Sequence, residues 1–253
     1  MIGIFDSGSG GLTVLKAIRD VLPSCDVLYF GDIKNAPYGP KSREELANLT
    51  IDAIKLLHER GARNIVSACN SVSASLAVSL LDAFDITPAQ LIEMVGPTVA
   101  AFKGSDARIL LCATEATIQS AIYQSAFRMI GKNITTLAIP ELAGAIEFGA
   151  PEEQLQKIIT EAFAGLNPND FDILILGCTH YPLVLDLFKK SLPESLALFD
   201  PALAVAERAQ KQFWPQEAGN SKTHFVISKD SVQFRNLVAK LFPDTQATIE
   251  VLQ

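Results

Sequence analysis

Basic clusters, long apolar runs and paired cysteines are all missing from this 253-residue chain, and each absence narrows the range of functions. With 21 Lys and Arg against 28 Asp and Glu the net charge is −7, and no stretch gathers the positive charge that would mark a nucleic-acid partner. No apolar run approaches the roughly 18–20 residues a membrane helix needs, so no membrane partner is expected. The N-terminal MIGIFDSG lacks the basic region and cleavage site of a secretory signal, which predicts a cytoplasmic protein. The four cysteines, Cys25, Cys69, Cys112 and Cys178, are far apart and form no CxxC pair, so neither a zinc ribbon nor a disulfide framework is suggested. No Walker A motif occurs. The string DSGSGG fails the dinucleotide fingerprint G-x-G-x-x-G, because Gly8, Gly10 and Gly11 leave Thr13 where the last glycine belongs.

What the chain does have is apolar material in short pieces. Hydrophobic residues make up 49% and charged residues 19%, enough to build the core of one large domain or two ordinary ones. Aliphatic runs ending in Gly, Asp or Ser predict strands at Ile2–Phe5, Val27–Phe30, Asn64–Ala68, Leu91–Val95, Arg108–Cys112, Ile134–Ala138, Ile173–Leu176, Leu196–Phe199 and His224–Ile227, with a short terminal one near Thr248–Val251. Amphipathic segments lie between them. In SREELANLTIDAIKLLHERG, Ser42 and Glu45 form a capping box, Leu46, Leu49, Ala53, Ile54 and Leu57 share one face, and Gly61 suits the position after the helix. Buried strands joined by helices imply parallel sheets covered on both faces, so the fold class is α/β.

The alternation repeats internally. FDSGSGGLTVL and LCATEATIQSAIY both read as strand, hydroxyl residue, helix; NIVSACNSVSASL and DILILGCTHYPLV both read as strand, cysteine, hydrogen-bonding residues, helix. Ser7 precedes Cys69 by 62 residues and Thr114 precedes Cys178 by 64. Two similar lobes are therefore expected, residues 1–96 together with about 205–253 in the first and 97–204 in the second, the crossing falling near Gly96-Pro97. Ligands of open α/β sheets bind beyond the carboxyl ends of the strands. Two such lobes facing each other would bring both cysteines to one cleft.

A cysteine just before a helix meets free N–H groups and the positive end of the helix dipole, which predicts a thiol pKa lowered below about 8.5. Two thiols on opposite sides of a small molecule suit acid–base chemistry at one carbon: a thiolate removes a proton from one face while a thiol supplies one to the other. With each sulfur about 3–3.5 Å from that carbon, the pair would sit roughly 7 Å apart. Their mutual repulsion, about 2.4 kcal/mol at an effective dielectric near 20, would favour one thiolate and one thiol. Asp6 and His180 stand where each could assist one thiol. Ser7, Asn70, Ser71, Thr114, Thr117 and Thr179 fall at strand-to-helix turns able to hold carboxylates. The loop GDIKNAPYGPKS presents Pro37, Tyr38 and Gly39 as a stiff turn over a ligand. Singly, each residue has a plainer reading, as a buried hydrophobe, a helix cap or a backbone-satisfied imidazole. Their joint occurrence in matching positions of two repeats favours chemistry. Cys25 and Cys112 have no polar companions and read as packing residues, and His58 and His224 receive no role.

The blocks FDSGSGGLTVL, the GD–NAPYG loop through Lys41, ACNSVSAS, TEATIQSAIY and GCTHYPL run in order along the whole chain, and together they resemble the glutamate racemase family. The resemblance implies two α/β lobes related by pseudo-twofold symmetry, with the active site between them. It also implies interconversion of L- and D-glutamate without a cofactor or metal, supply of D-glutamate for peptidoglycan, and a homodimer. Carried over by motif, Cys69 and Cys178 are the acid/base thiols, and Asp6 and His180 assist them. Glu147, in AIEFG, falls where the family often has a glutamate near the site. Substrate contacts would come from Asp6, Ser7, Pro37, Tyr38, Gly39, Asn70, Ser71, Thr114, Thr117, Thr179 and His180. The chain departs from the family in two places: Ser71 and Val72 follow Asn70 where Thr-Ala is usual, and Gly96 precedes Pro97 where many members carry Glu. Some relatives carry an N-terminal extension tied to nucleotide activation; this chain begins on its first strand, so no such dependence is expected. Three other readings remain open: racemisation of another acidic amino acid such as aspartate, a catalytically inactive ligand-binding relative, and a single-thiol hydrolase or isomerase.

Overall fold

The computed structural model describes residues 1–75, 86–214, 219–243 and 247–252. Part of the segment read as a helix after Cys69 lies outside the described residues. Among the described residues, ten strands form two sheets. The first contains β1 (Ile2–Asp6), β2 (Val27–Gly31), β3 (Asn64–Ser67), β4 (Leu91–Glu93), β9 (Thr223–Ile227) and β10 (Ala247–Val251), in the order β10-β9-β2-β1-β3-β4. The second contains β5 (Ile109–Ala113), β6 (Thr135–Ala138), β7 (Ile173–Gly177) and β8 (Ala197–Phe199), in the order β6-β5-β7-β8. Every pairing is parallel, as strands buried on both faces require.

The alternation of side chains along each strand feeds a separate core on each face of a sheet. In β1, Ile2 and Ile4 join Leu12, Leu15 and Ile18 of the helix Leu12–Val21, while Phe5 points the other way to Leu46, Ile54 and Leu57 of the helix Arg43–Glu59. In the second sheet, Leu110, Cys112, Leu174 and Leu176 face one core, and Ile109, Leu111 and Ile175 the other. The helix Pro201–Phe213 packs beside Leu12–Val21 on the first sheet's core through Ala202, Val205, Ala206 and Ala209. The capping box forms as expected: Ser42 Oγ accepts from Glu45 N, and Glu45 Oε2 accepts from Ser42 N. Gly61 adopts φ +92°, the left-handed conformation that glycine alone takes without a Cβ clash.

Two expectations are corrected. The strand expected over Leu91–Val95 ends at Glu93, because the Glu93 carboxylate turns back to accept the N–H groups of Val95 and Gly96 at 2.6 Å and starts a helix, Val95–Ala100. A Cβ on residue 96 would lie 2.8 Å from that carboxylate, so Glu93 accounts for glycine at this place. Short 3₁₀ segments, Asn70–Ser75 and Tyr181–Val184, follow the two cysteines, and after the second of them the expected α-helix runs over Leu185–Ser191. The second correction, the Cys69 thiol, belongs to the site below. Val72, the other departure, is fully buried in the core with Phe5, Tyr38 and Ile65.

Candidate functional site

The carboxyl ends of both sheets face one another, and the turns that follow them enclose one cavity. β1 delivers Ser7, β3 delivers Cys69, Asn70 and Ser71, β5 delivers Thr114, and β7 delivers Cys178, Thr179 and His180. Glu147 closes the wall from the end of the helix Leu142–Glu147, and the loop Ala36, Pro37, Tyr38 and Gly39 covers it. The cavity is nearly shut: about 10 Å³ is open to a water molecule's centre, roughly the room one water needs. A far larger surface groove, about 1060 Å³, lies at the amino ends of the first sheet's strands around Arg19, Asp26 and Lys222, away from both thiols.

Cys69 and Cys178 both border the cavity, 4% and 6% exposed. Cys69 Sγ lies 3.7 Å from Ser7 Oγ. Burial pushes this thiol up to about 12; the charges of Asp6 and Cys178 add to the rise, and the hydrogen bonds of Ser7 and Ser71 only partly offset it. The lowered thiol expected from sequence is thus reversed at Cys69, because a short 3₁₀ turn at a dry site offers less to an anion than burial takes away. Cys178 Sγ lies 3.8 Å from His180 Nδ1, and His180 Nε2 donates to Glu147 Oε2 at 2.7 Å. Burial opposes the imidazolium, but the bonds to Cys178 and Glu147 outweigh it and lift His180 well above its usual value. Burial likewise opposes the Glu147 anion, yet His180 and the two donors of Ser9 hold it below the usual carboxylate range.

Asp6 and Thr117 stand behind the cavity wall rather than on it. Asp6 is fully buried; it accepts from Gly8 N at 2.9 Å and from Thr179 Oγ1 at 3.1 Å, and its charge reaches Cys69. Burial raises its pKa, with the His180 charge pulling the other way. Thr117 meets Thr114 across 3.0 Å, and its N–H caps back to Thr114 Oγ1. Cys25 and Cys112 are fully buried in the cores, but neither lacks polar companions as the sequence had suggested: Arg19 Nη1 reaches the Cys25 carbonyl and sulfur, and Cys112 Sγ lies 3.6 Å from Ile175 O. His224 contacts Thr248 and Glu250 on the first sheet's edge.

Three further residues shape the site and were not singled out from the sequence. Asp32, at the end of β2, accepts from Tyr38 Oη at 2.6 Å and from Asn35 Nδ2, and so holds the covering loop. Its position at a strand end, like that of Asp6, was the available signal. Ser9 donates its N–H and its hydroxyl to Glu147 Oε2 at 2.8 and 2.7 Å. Tyr123 Oη donates to Asn70 Oδ1 at 2.6 Å. Their partners lie 138 and 53 residues away, beyond any local pattern. These bonds join the lobes, as do Ser71 with Thr114 at 2.9 Å and Ala116 N with Gly39 O at 3.1 Å.

The glycines of DSGSGG make this approach possible. A Cβ at Gly8 would lie 2.6 Å from the Glu147 carboxylate, and one at Gly10 would lie 2.5 Å from Thr179 Oγ1 and 2.6 Å from His180 Nδ1. Gly10→Ala is expected to lower kcat/KM on the order of tenfold to hundredfold, by forcing apart the loop and His180. Steady-state kinetics with an unchanged circular dichroism spectrum would check this; full activity would mean the loop yields at no cost.

Chemically, the site offers two thiols, a charged His–Glu pair and unspent polar atoms. Asn70 Nδ2 and Glu147 Oε1 are buried without a partner, one a donor and one an acceptor. Among the described residues no cluster of His, Cys, Asp and Glu has the arrangement of a metal site, and no helix is long and apolar enough to cross a membrane.

Comparison with known proteins gives a consistent picture. The family model described as Asp/Glu/hydantoin racemase matches residues 12–209. A glutamate racemase of Koribacter versatilis is 36% identical over 217 residues, covering 84% of this chain and 74% of its own length. A crystal structure of a glutamate racemase isoform from Bacillus anthracis superposes with TM-score 0.88 at 29% identity, covering 100% of this chain and 97% of that one. A Francisella tularensis glutamate racemase solved in complex with D-glutamate superposes with TM-score 0.86 at 26% identity, again covering 100% and 97%.

Proposed function

From the premise that this chain belongs to the Asp/Glu/hydantoin racemase family and is an amino-acid-racemising isomerase, we propose that it interconverts L- and D-glutamate by two-base chemistry with Cys69 and Cys178. The observation that carries the reading is that thiols from equivalent strand ends of two sheets border one small, nearly closed cavity. A racemase needs one base and one acid on opposite faces of the α-carbon. A thiolate on one side takes the α-proton; the electron pair left on carbon takes a proton from the opposite thiol. One C–H bond breaks and one forms, and the two sulfurs exchange protonation states, so no redox partner or prosthetic group enters the balance.

The flanking groups suit this division. Burial keeps Cys69 protonated at neutral pH, the form that donates. His180, held cationic between Cys178 and Glu147, is a proton reservoir beside the other thiol. Asp6 and Ser7 flank Cys69 with opposite effects, the Asp6 charge favouring the thiol and the Ser7 contact favouring the thiolate. The wall hydroxyls of Ser7, Ser71, Thr114 and Thr179 and the free Asn70 amide supply donors for two carboxylates, while Glu147 Oε1 faces a substrate ammonium. Pro37, Tyr38 and Gly39 cover the substrate, and Thr117 steadies Thr114. A cavity with room for about one water must widen before glutamate enters, so the lobes part and reclose in each turnover.

The lobe division that goes with this mechanism is 1–96 and about 205–253 against 97–204; the packing of Pro201–Phe213 on the first core supports a return of the chain to the first lobe. Supply of D-glutamate to peptidoglycan in the cytoplasm, by a homodimer, rests on the resemblance of the sequence blocks.

The test is incubation with L-glutamate in heavy water after dialysis against chelator, with no pyridoxal phosphate added. D-Glutamate carrying deuterium at the α-carbon is expected. Exchange with aspartate but not with either glutamate enantiomer would replace the substrate assignment, and no exchange with any acidic amino acid would leave a ligand-binding relative.

A further inference from the structure

Tyr123 does not border the cavity, yet it decides what one wall residue presents there. It sits on the second-lobe helix Ile122–Met129, fully buried, and its hydroxyl crosses to the first lobe to donate to Asn70 Oδ1 at 2.6 Å. Asn70 is 3% exposed and borders the cavity, and its Nδ2 is buried with no partner.

A side-chain amide has two orientations of nearly equal shape, with oxygen and nitrogen exchanged, and its neighbours choose between them. On the cavity side, with no substrate present, nothing chooses. On the other side stands a phenol whose burial pushes its pKa well up, so it stays a donor at every working pH. Thr98, which adjoins the phenol oxygen, spends its own hydroxyl hydrogen on Met94 O. A buried O–H seeks an acceptor, so the amide oxygen turns toward Tyr123 and the NH₂ group toward the cavity. The reverse orientation would set the amide NH₂ against the donating phenol at one end and the amide oxygen against an incoming carboxylate at the other, donor facing donor and acceptor facing acceptor.

We propose that Tyr123 is a positioning residue for substrate binding: through a hydrogen bond across the lobes it fixes the Asn70 amide with its N–H groups toward a substrate carboxylate. The proposal rests on the racemase reading above and extends it. The donor on the first lobe is correctly aimed only when the second lobe's phenol has come against it, so closure and carboxylate recognition are one event. Tyr123 itself touches no substrate.

A double-mutant cycle tests this, with kcat and KM for glutamate measured for the parent protein, Tyr123→Phe, Asn70→Ala and the double variant. Tyr123→Phe is expected to raise KM about fivefold to tenfold, by letting the amide turn, with kcat held within about threefold. Asn70→Ala should raise KM at least as much. In the Asn70→Ala background, Tyr123→Phe should change KM less than about twofold, because the group it positions is gone. An unchanged KM in Tyr123→Phe, or the same KM ratio in both backgrounds, overturns the proposal, since a merely structural tyrosine acts independently of Asn70. Asn70→Asp supplies a second route should Tyr123→Phe fail to fold. It keeps an oxygen for Tyr123 and replaces the NH₂ by an acceptor, so KM must rise beyond about tenfold; a KM near the parent value overturns the proposal. If the parent protein racemises aspartate and not glutamate, the substrate reading fails, and the same cycle is read on aspartate.

Discussion

Cys69→Ser and Cys178→Ser are each expected to lower racemisation by at least about 10³-fold, near the upper range of what one positioned acid–base group supplies. Serine fills nearly the same space in each wall, so the loss reports chemistry rather than packing. Its hydroxyl is too weak an acid to donate at neutral pH and too reluctant to ionise to act as the base. The sharper result lies in heavy water. Each variant keeps one working sulfur, which can take a proton from its own face and return a deuteron to that face. Exchange without inversion is therefore expected for the one enantiomer whose α-hydrogen points at the surviving thiol. The two variants should select opposite enantiomers. If one variant kept full racemisation, or both exchanged the same enantiomer, a single sulfur would be serving both faces and the two-thiol reading would fall. The environments of the two sulfurs differ: Cys69 is pushed up to about 12 beside Ser7, whereas Cys178 faces the raised His180. Unequal kcat values in the two directions follow from that asymmetry, with KM unequal in the same ratio because enantiomers are equal in free energy.

The second large effect concerns Glu147. Its side chain is 1% exposed and that of His180 6%, so solvent does little to screen the pair at 2.7 Å. Glu147→Gln keeps the shape and an acceptor oxygen but removes the anion, leaving a buried imidazolium to lose its proton or remain unpaired. Breaking a buried pair from one side costs about 3–5 kcal/mol, and the retained amide oxygen brings the expected loss to about 2–3 kcal/mol. The direction with pH is fixed by the two shifts. His180 is raised in the fold, so its contribution is complete below its unfolded value of 6.5 and is lost as pH rises through the folded value. Glu147 is lowered, so its contribution is complete above its unfolded value of 4.5 and is lost as pH falls through the folded one. Both are present together between 4.5 and 6.5. Thermal unfolding of Glu147→Gln should therefore fall furthest below the parent near the middle of that window, by about 5–10 °C, and less at alkaline pH. In activity, kcat should drop about 10- to 100-fold, and the alkaline limb of the pH–rate profile should move to lower pH as His180 releases its proton more readily. An alkaline limb that stayed in place would mean His180 is not the group behind it. The limbs belong to the coupled set of thiols and imidazole, not to one residue.

Much of the architecture was legible because the signals are local. An aliphatic run ending in Gly, Asp or Ser is a buried strand wherever it sits, and Ser42 with Glu45 caps a helix through bonds three residues apart. The error at Leu91–Val95 has the same origin in reverse: Glu93 turns back onto Val95 and Gly96, a carboxylate acting as a cap from inside an apolar run. Asp32 could have been found at the end of β2 by the rule that drew attention to Asp6. Ser9 and Tyr123 could not, since neither carries a pattern until its partner is known.

By itself, then, the sequence determined the α/β class, the strand set and the repeat that sets Cys69 and Cys178 at equivalent strand ends, since periodicity and turn chemistry act over a few residues. Only the tertiary structure decided how charge is held at the site. Burial drove Cys69 up where the order of strand and helix had suggested a lowered thiol. Glu147 came under Ser9 because Gly8 and Gly10 let the lobes approach. Those outcomes depend on desolvation and on distances between segments far apart in the chain, and neither quantity exists until the two sheets face each other.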